Sequence, residues 1–389
     1  MTGSRSRWAV RSGGLLWSIA AAVAIGGAAA PPAGAWDVAT VPVPAGAAGS
    51  VLTGVACVPS RACVAVGNGA RDSETFGEAS SGSGWRASPI GRGGDPTAVS
   101  CATARFCLAL GGAADAVVYR WNGSRWARSS RGLPASTRLS AVACVSARFC
   151  MAVGDSSGRV RRPLSATWTG ARWKLITPPH PGGAGSLNTV ACPAADVCFA
   201  AGDDERSAPG GRFNTYQLIE RWNGHTWVDQ HVADYRRLAE GGASISCTRA
   251  SSCMVVGSDT PQHSGLPEAF AERWNGRRWT TALSGLPAPA QPSRVPALLT
   301  QLGDVSCWTA TGCLAVGSGH AAEGGTAASG AMAMRWNGRR WQTDPAAVPV
   351  GGDPELLGVS CLRAGACTIV GSRRGAPFAE RGADTVTPG

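Results

Sequence analysis

Fourteen cysteines fall into seven pairs with one spacing, C-x5-C, and this regularity restricts the chain to a repeated architecture. The pairs are Cys57/Cys63, Cys101/Cys107, Cys144/Cys150, Cys192/Cys198, Cys247/Cys253, Cys307/Cys313 and Cys361/Cys367, and their first members recur every 43–60 residues. One unit reads L-x-x-V-x-C, five loop residues, C-x-A-V-G, a variable stretch, an apolar segment ending in Arg-Trp, then Asn-Gly and a second Trp. LGDVSC (302–307), CLAVG (313–317) and MRWNGRRW (334–341) form the cleanest copy.

Each unit holds four short β-runs separated by turn signals, with no helical periodicity. The Cys pair brackets a five-residue connection, so it predicts a disulfide across a hairpin of strands one and two. Such a ring contributes about 2 kcal/mol on a chain-entropy view. Zinc is excluded, because five His do not serve seven pairs and C-x2-C spacing is missing. Asn-Gly between apolar runs predicts a second hairpin of strands three and four with a type I′ turn. That turn places Trp274 opposite Arg277, Arg273 opposite Arg278 and Glu272 opposite Trp279, so the two Trp are diagonal neighbours and like charges face each other.

Four-stranded units around an axis make an all-β, seven-bladed β-propeller. Trp36 precedes the first Cys pair, whereas the last pair has no Trp after it, and PFAERG at 377–382 breaks off where AFAERW at 269–274 reaches its Trp. The strand from Trp36 is therefore expected to complete the C-terminal blade and to lie beside Arg381.

Residues 1–35 join Arg5, Arg7 and Arg11 to a long apolar run and to Ala33-Gly34-Ala35, the layout of an export signal cut after Ala35. The propeller then spans 36–389, and an uncleaved membrane anchor is the alternative. Net charge is +11, and all positive side chains but Lys174 are Arg. An exported chain of this charge suits acidic partners, such as an anionic glycan, a wall polymer or an exported protein. No helix-turn-helix, zinc finger or Arg-rich tail points to nucleic acid. A monomer without cofactor or metal is expected.

The layout L-x-x-V, A-V-G and N-G-x-x-W resembles the BNR/Asp-box propellers, which include the sialidase superfamily and photosystem II assembly-factor-like proteins, and secreted actinobacterial repeat proteins with paired Cys and a Trp-Asn-Gly turn. It departs from them in the Asp-box itself, reduced here to GHTW at 224–227. The resemblance implies a binding or scaffold propeller, with a sialidase-like glycosidase or an assembly factor for another exported protein as alternatives. The glycosidase would need a Tyr activated by Glu, and Tyr216 and Glu220 are the pair that shares a strand face. No catalytic residue is assigned.

Two further groups stand out. Asp203, Asp204 and Glu205 beside Arg206 read as a solvated loop, with Ca²⁺ as the alternative. Arg120/Arg125, Arg273/Arg278 and Arg335/Arg340 form candidate anion-binding pairs on the face of the Cys hairpins and Asn-Gly turns. The opposite face is expected to carry long variable loops, at 202–217, 257–269 and 317–330.

Overall fold

The computed structural model describes residues 36–382 except 40, 43–48, 70–73, 82–83, 93, 113–114, 157, 180–182, 209–211, 231–243, 261–266, 285–298, 324–325 and 350–351. The expected export signal lies outside the described residues, as do His180, His231, His263 and Tyr235. No helix among the described residues is long and apolar enough to cross a membrane.

Seven four-stranded antiparallel sheets form the seven blades of a propeller. Blade one comprises Val51–Cys57, Ala62–Asn68, Glu74–Ser81 and Trp85–Arg92. Blades two to six span 98–128, 137–176, 184–229, 244–284 and 299–343. Blade seven takes three strands from 355–382 and its outermost, Trp36–Ala39, from the other end of the chain. Trp36 pairs with Gly382 and Asp37 with Arg381, so the closure expected from the split repeat is present.

The second strand of each blade is buried on both faces, which is why C-x-A-V-G is continuously apolar rather than alternating. Phe106–Gly111 and Ser252–Asp259 are buried at every residue. Seven clusters, one per blade-to-blade seam, make up the core. The seam between blades two and three, for example, joins Leu108, Leu110 and Val118 to Ala152, Trp168 and Trp173.

The repeat consensus explains itself in the first two strands. The Leu of L-x-x-V-x-C pairs with the Gly of A-V-G (Leu52/Gly67, Leu139/Gly154, Leu187/Gly202, Leu302/Gly317, Leu356/Gly371), and a bulge in strand one follows at once. A Cβ on Gly154, Gly202 or Gly317 would overlap a carbonyl oxygen of the bulged strand, so glycine is required for close approach rather than for its dihedral.

The residue before the first Cys links blades. Ser100, Ser246, Ser306 and Ser360 each accept, through Oγ, the backbone N–H of the first Cys in the following blade (Cys144, Cys307, Cys361 and Cys57) at 2.9–3.0 Å. The Ser360 bond crosses the seam where the ring closes. Further inward, Asp304 accepts from Ser244 Oγ (2.7 Å) and from the backbone N–H groups of Val305 (2.9 Å) and Val359 (2.7 Å), tying blades five, six and seven.

Candidate functional site

All seven disulfides form, with Cα atoms 3.9–4.1 Å apart, and six of them join directly opposed residues. Their place in the fold removes most of them from any binding role. The first cysteine of each pair is half-buried, but the second lies on the doubly covered second strand, where Cys63, Cys107, Cys150, Cys198, Cys253, Cys313 and Cys367 are at most 4% exposed. The disulfide pairing expected from the spacing is present at all fourteen positions, and Cys107, Cys150, Cys198, Cys253 and Cys313 are in addition core residues. Each closes a hairpin and packs in a seam, because a sulfur on the inner strand of a blade is covered by the neighbouring blade.

The Asn-Gly turns sit against the Cys hairpins. Gly276 packs on Ser251 and Gly338 on Thr311, while Trp121, Trp168 and Trp274 donate Nε1–H to the carbonyls of Ala104, Ala147 and Ala250 at 3.1–3.2 Å. The two kinds of turn therefore share one face, as expected.

The expected turn register is corrected. Asn275 N–H donates to the Arg278 carbonyl, and Gly276 (φ +93°) is the first central residue, so the turn is centred one residue later than a type I′ Asn-Gly turn. Asn275 instead accepts Arg277 and Arg278 N–H on its side-chain oxygen, at 3.0 Å each. This carries the last strand two residues along, and Trp274 stands directly opposite Trp279. Five blades share such a pair, with ring centroids 5.4–5.8 Å apart.

The same shift separates the Arg pairs. Arg120 faces Ala127, Arg273 faces Thr280 and Arg335 faces Gln342, while Arg125, Arg278 and Arg340 lie exposed in the turns. Arg335 is already engaged, bonded to Asp344 through Nε (2.9 Å) and Nη2 (2.7 Å) and stacked on Trp308. No facing Arg pair exists at these positions.

The acidic run is a further correction. Asp203, Asp204 and Glu205 belong to strand Val197–Ala208, not to a loop, and Asp203 and Asp204 are buried. Arg161 bridges Asp203 and Glu205, whereas Asp204 points to the other face and pairs with Arg206. Alternation along the strand thus divides the three carboxylates, and no cluster of three metal-ligating side chains occurs among the described residues. The neighbouring stretches 202–217 and 317–330 are mostly long two-stranded hairpins, paired out to Ala208/Arg212 and Glu323/Thr326.

Tyr216 and Glu220 share a strand but not a site, since four residues of strand separate them by about 13 Å. Tyr216 lies under the Arg206 guanidinium, and Glu220 is buried between blades.

The Trp pattern itself exposes a site that reading the motif missed. In five blades the third-strand Trp and its partner pack against the preceding blade. Two blades lack that Trp: Ser80 occupies its position opposite Trp85 in blade one, and Gly382 opposite Trp36 in blade seven. At the seam of blades six and seven Trp308, from the Cys hairpin of blade six, packs against the core cluster. At the seam of blades seven and one no aromatic replaces the missing Trp. There Arg381 donates to Ser80 Oγ and lies over the Trp85 ring, 5.4 Å from its centroid.

Beside this substitution opens a cleft of about 670 Å³, within the range of small-ligand sites. Arg61, Arg363, Arg381 and Asp37 supply its charges, three positive against one negative, and Pro59, Leu362 and the disulfides of blades one and seven supply its apolar wall. Arg61 and Arg363 are exposed, while Arg381 is partly buried, has no partner on Nε, and is held below the usual guanidinium range by burial.

The loops framing the cleft also differ from the rest. In blades two to six the Cys hairpin stays paired past the second bulge, as in Thr103/Phe106; in blades one and seven pairing stops at the disulfide. Arg61 adopts φ +63° at the position where blade seven has Gly365 at φ +78°. A left-handed Arg is unfavourable by about 1 kcal/mol, and strain of this kind concentrates at functional sites.

No family model matches the chain, and no curated protein matches it. Solved structures do. A structure described as YCF48 bound to D1 peptide is similar over 91% of this chain and 97% of its own, with 11% identity and a TM-score of 0.54. YCF48 from Cyanidioschyzon merolae is similar over 89% and 98%, with 15% identity and a TM-score of 0.55. At these identities the likeness is one of fold: this chain is a seven-bladed β-propeller of the same architecture as YCF48.

Proposed function

We propose that this chain is a non-catalytic binding propeller that holds an acidic segment of a protein partner in the cleft between blades seven and one. The carrying observation is the convergence of Arg61, Arg363 and Arg381 on one cleft, in loops that depart from the other five. Guanidinium groups bind carboxylates strongly where water is partly excluded, and the partly buried Arg381 meets that condition. The exposed Arg120, Arg125, Arg278 and Arg340 on the same face add a diffuse attraction that speeds encounter. A structural neighbour with a peptide bound supports the choice of a protein partner. The separation of Tyr216 from Glu220 speaks against the sialidase-like alternative. The reading includes export with cleavage after Ala35, in keeping with seven disulfides and no free Cys.

The test is binding of the oxidised protein to acidic, neutral and basic peptides of equal length. Acidic peptides bind best, and changing Arg61, Arg363 and Arg381 together to Gln weakens them at least tenfold. Equal binding by this variant sinks the assignment of the cleft. Binding of an anionic polysaccharide with none to any peptide would replace the protein partner by a glycan.

A further inference from the structure

We propose that Cys57–Cys63 is a thiol-exchange site, the one disulfide of the seven that a dithiol entering the cleft between blades seven and one can open. The inference goes beyond the binding reading and does not depend on it. Seven homologous seams provide the comparison. In each, the disulfide of one blade is met by the residue that follows the second Cys of the preceding blade. Six seams place an apolar side chain there: Val64, Leu108, Met151, Phe199, Met254 and Leu314 each share a cluster with the cysteines of the next blade. The seventh places Thr368, which is buried and sets its hydroxyl oxygen 3.5 Å from Cys57 Sγ and 3.7 Å from Cys63 Sγ.

Two further differences act in the same direction. In blades two, three and four the second Cys sulfur lies 3.8–4.0 Å from the carbonyl oxygen of Thr103, Ser146 or Ala194, two residues after the first Cys. A carbonyl oxygen beside sulfur disfavours a thiolate. The counterpart in blade one is Pro59, which lines the cleft together with Cys57 and Cys63 themselves. Arg61, inside the ring that the disulfide closes, also lines it, with Arg363 and Arg381. Arg105 and Arg148 hold the position of Arg61 in blades two and three, so charge alone does not single out this bond. The hydroxyl and the opening do.

Cys57 is half-buried and Cys63 only 4% exposed, so an incoming thiolate meets Cys57 Sγ first. The thiolate's electron pair forms a new S–S bond to Cys57, the Cys57–Cys63 bond breaks, and the released pair leaves on Cys63. The second thiolate of the same reductant then displaces Cys57 from the mixed disulfide. The dithiol departs as a disulfide, and two electrons and two protons have passed to the protein. Exchange quickens as the pKa of the leaving thiol falls, and a hydroxyl donor and nearby guanidinium groups both favour the Cys63 thiolate.

Timed reduction of the oxidised protein by dithiothreitol, followed by alkylation and mass-spectrometric mapping, reads each pair separately. Cys57 and Cys63 are expected to be labelled at least about tenfold faster than the pairs of blades two to six. Thr368→Val gives this seam the apolar cover that the six others carry, and is expected to keep the fold while slowing the labelling at least about fivefold. Thr368→Ser, which keeps the hydroxyl, keeps the rate. Should Thr368→Val fail to fold, Thr368→Ala serves. Labelling of Cys57 and Cys63 no faster than that of blades two to six, or undiminished in the folded variant without the hydroxyl, overturns the exchange site. No peptide enters this measurement, so its failure leaves the acidic-segment reading standing, and absence of peptide binding leaves the exchange site standing.

Discussion

Single residues in the seams carry charge where water has been removed. The position two before the third-strand Trp faces the preceding blade and holds Glu in four blades: Glu78, Glu220, Glu272 and Glu380, all buried. Neither oxygen of Glu78 or Glu220 has a hydrogen-bond partner. Burial pushes Glu78 up to about 8, and Glu380 up to about 7 against the lowering effect of Arg373. Glu220 rises to about 9, by burial and then by repulsion from Asp229. The folded chain therefore binds more protons than the unfolded chain between about pH 4.5 and 9, and stability falls as pH rises through that window. Denaturant titrations at pH 5 and pH 9 should show it. Glu220→Gln is expected to stabilise by about 1–3 kcal/mol at pH 9, where the parent must ionise a buried acid, and by little at pH 5. Three of these glutamates were visible in the sequence as ERW and ERG, and Glu78 stands in EAS, but only the seam geometry shows that they face inwards.

At the scale of the strand and the turn, the repeat was legible wherever one residue type has one physical reason. The disulfides followed from spacing, the fourth strands from their leading Trp, and the closure from a repeat cut in two. That the second Cys of each pair is sealed in the core did not follow, since spacing fixes which residues pair and not which neighbour covers them. The turn register did not follow either, because Asn-Gly suits two turn geometries. The side-chain oxygen of Asn275, which accepts two N–H groups, selects the later centre. That single residue of displacement removed the facing Arg pairs. The acidic run misled for a related reason: polar residues at the outer end of a long strand look like loop when only composition is read, and Asp203/Gln217 pairing shows otherwise. Two predictions belong here. Gly317→Ala forces a Cβ onto the Gln301 carbonyl and should destabilise by about 2–4 kcal/mol, against less than about 0.5 kcal/mol for Ala at an open glycine such as Gly330. Ser306→Ala leaves the Cys361 N–H without its acceptor and should lose about 1–2 kcal/mol. Chemical denaturation measures both.

For the whole molecule, the ring closes at one seam in three independent ways: the strand Trp36–Ala39 joins blade seven, Ser360 binds Cys57 N–H, and Arg381 reaches Ser80. That seam also borders the cleft, where the third-strand Trp and the Cys loops depart from the repeat. Propellers place each blade between two neighbours, so weakening one closure contact should loosen the two blades around it before the others. Trp36→Ala is expected to raise amide exchange in 355–382 and 51–92 while leaving 184–229 protected; uniform loss of protection around the ring would show that closure is not local. The binding site was hidden from the sequence for the same reason. It is defined by departures from the repeat, Ser80 where five blades carry Trp and Cys hairpins whose pairing stops at the disulfide, and a departure acquires meaning only when the neighbour it faces is known.

The central claim is that an acidic partner segment docks at the seam of blades seven and one. Amide hydrogen exchange of the oxidised protein with and without a saturating Glu-rich peptide locates the contact directly. The account predicts added protection in 57–63 and 361–367 and at the Arg381 strand. Protection confined to the long hairpins 197–222 and 312–336, with none at the seam, would contradict it.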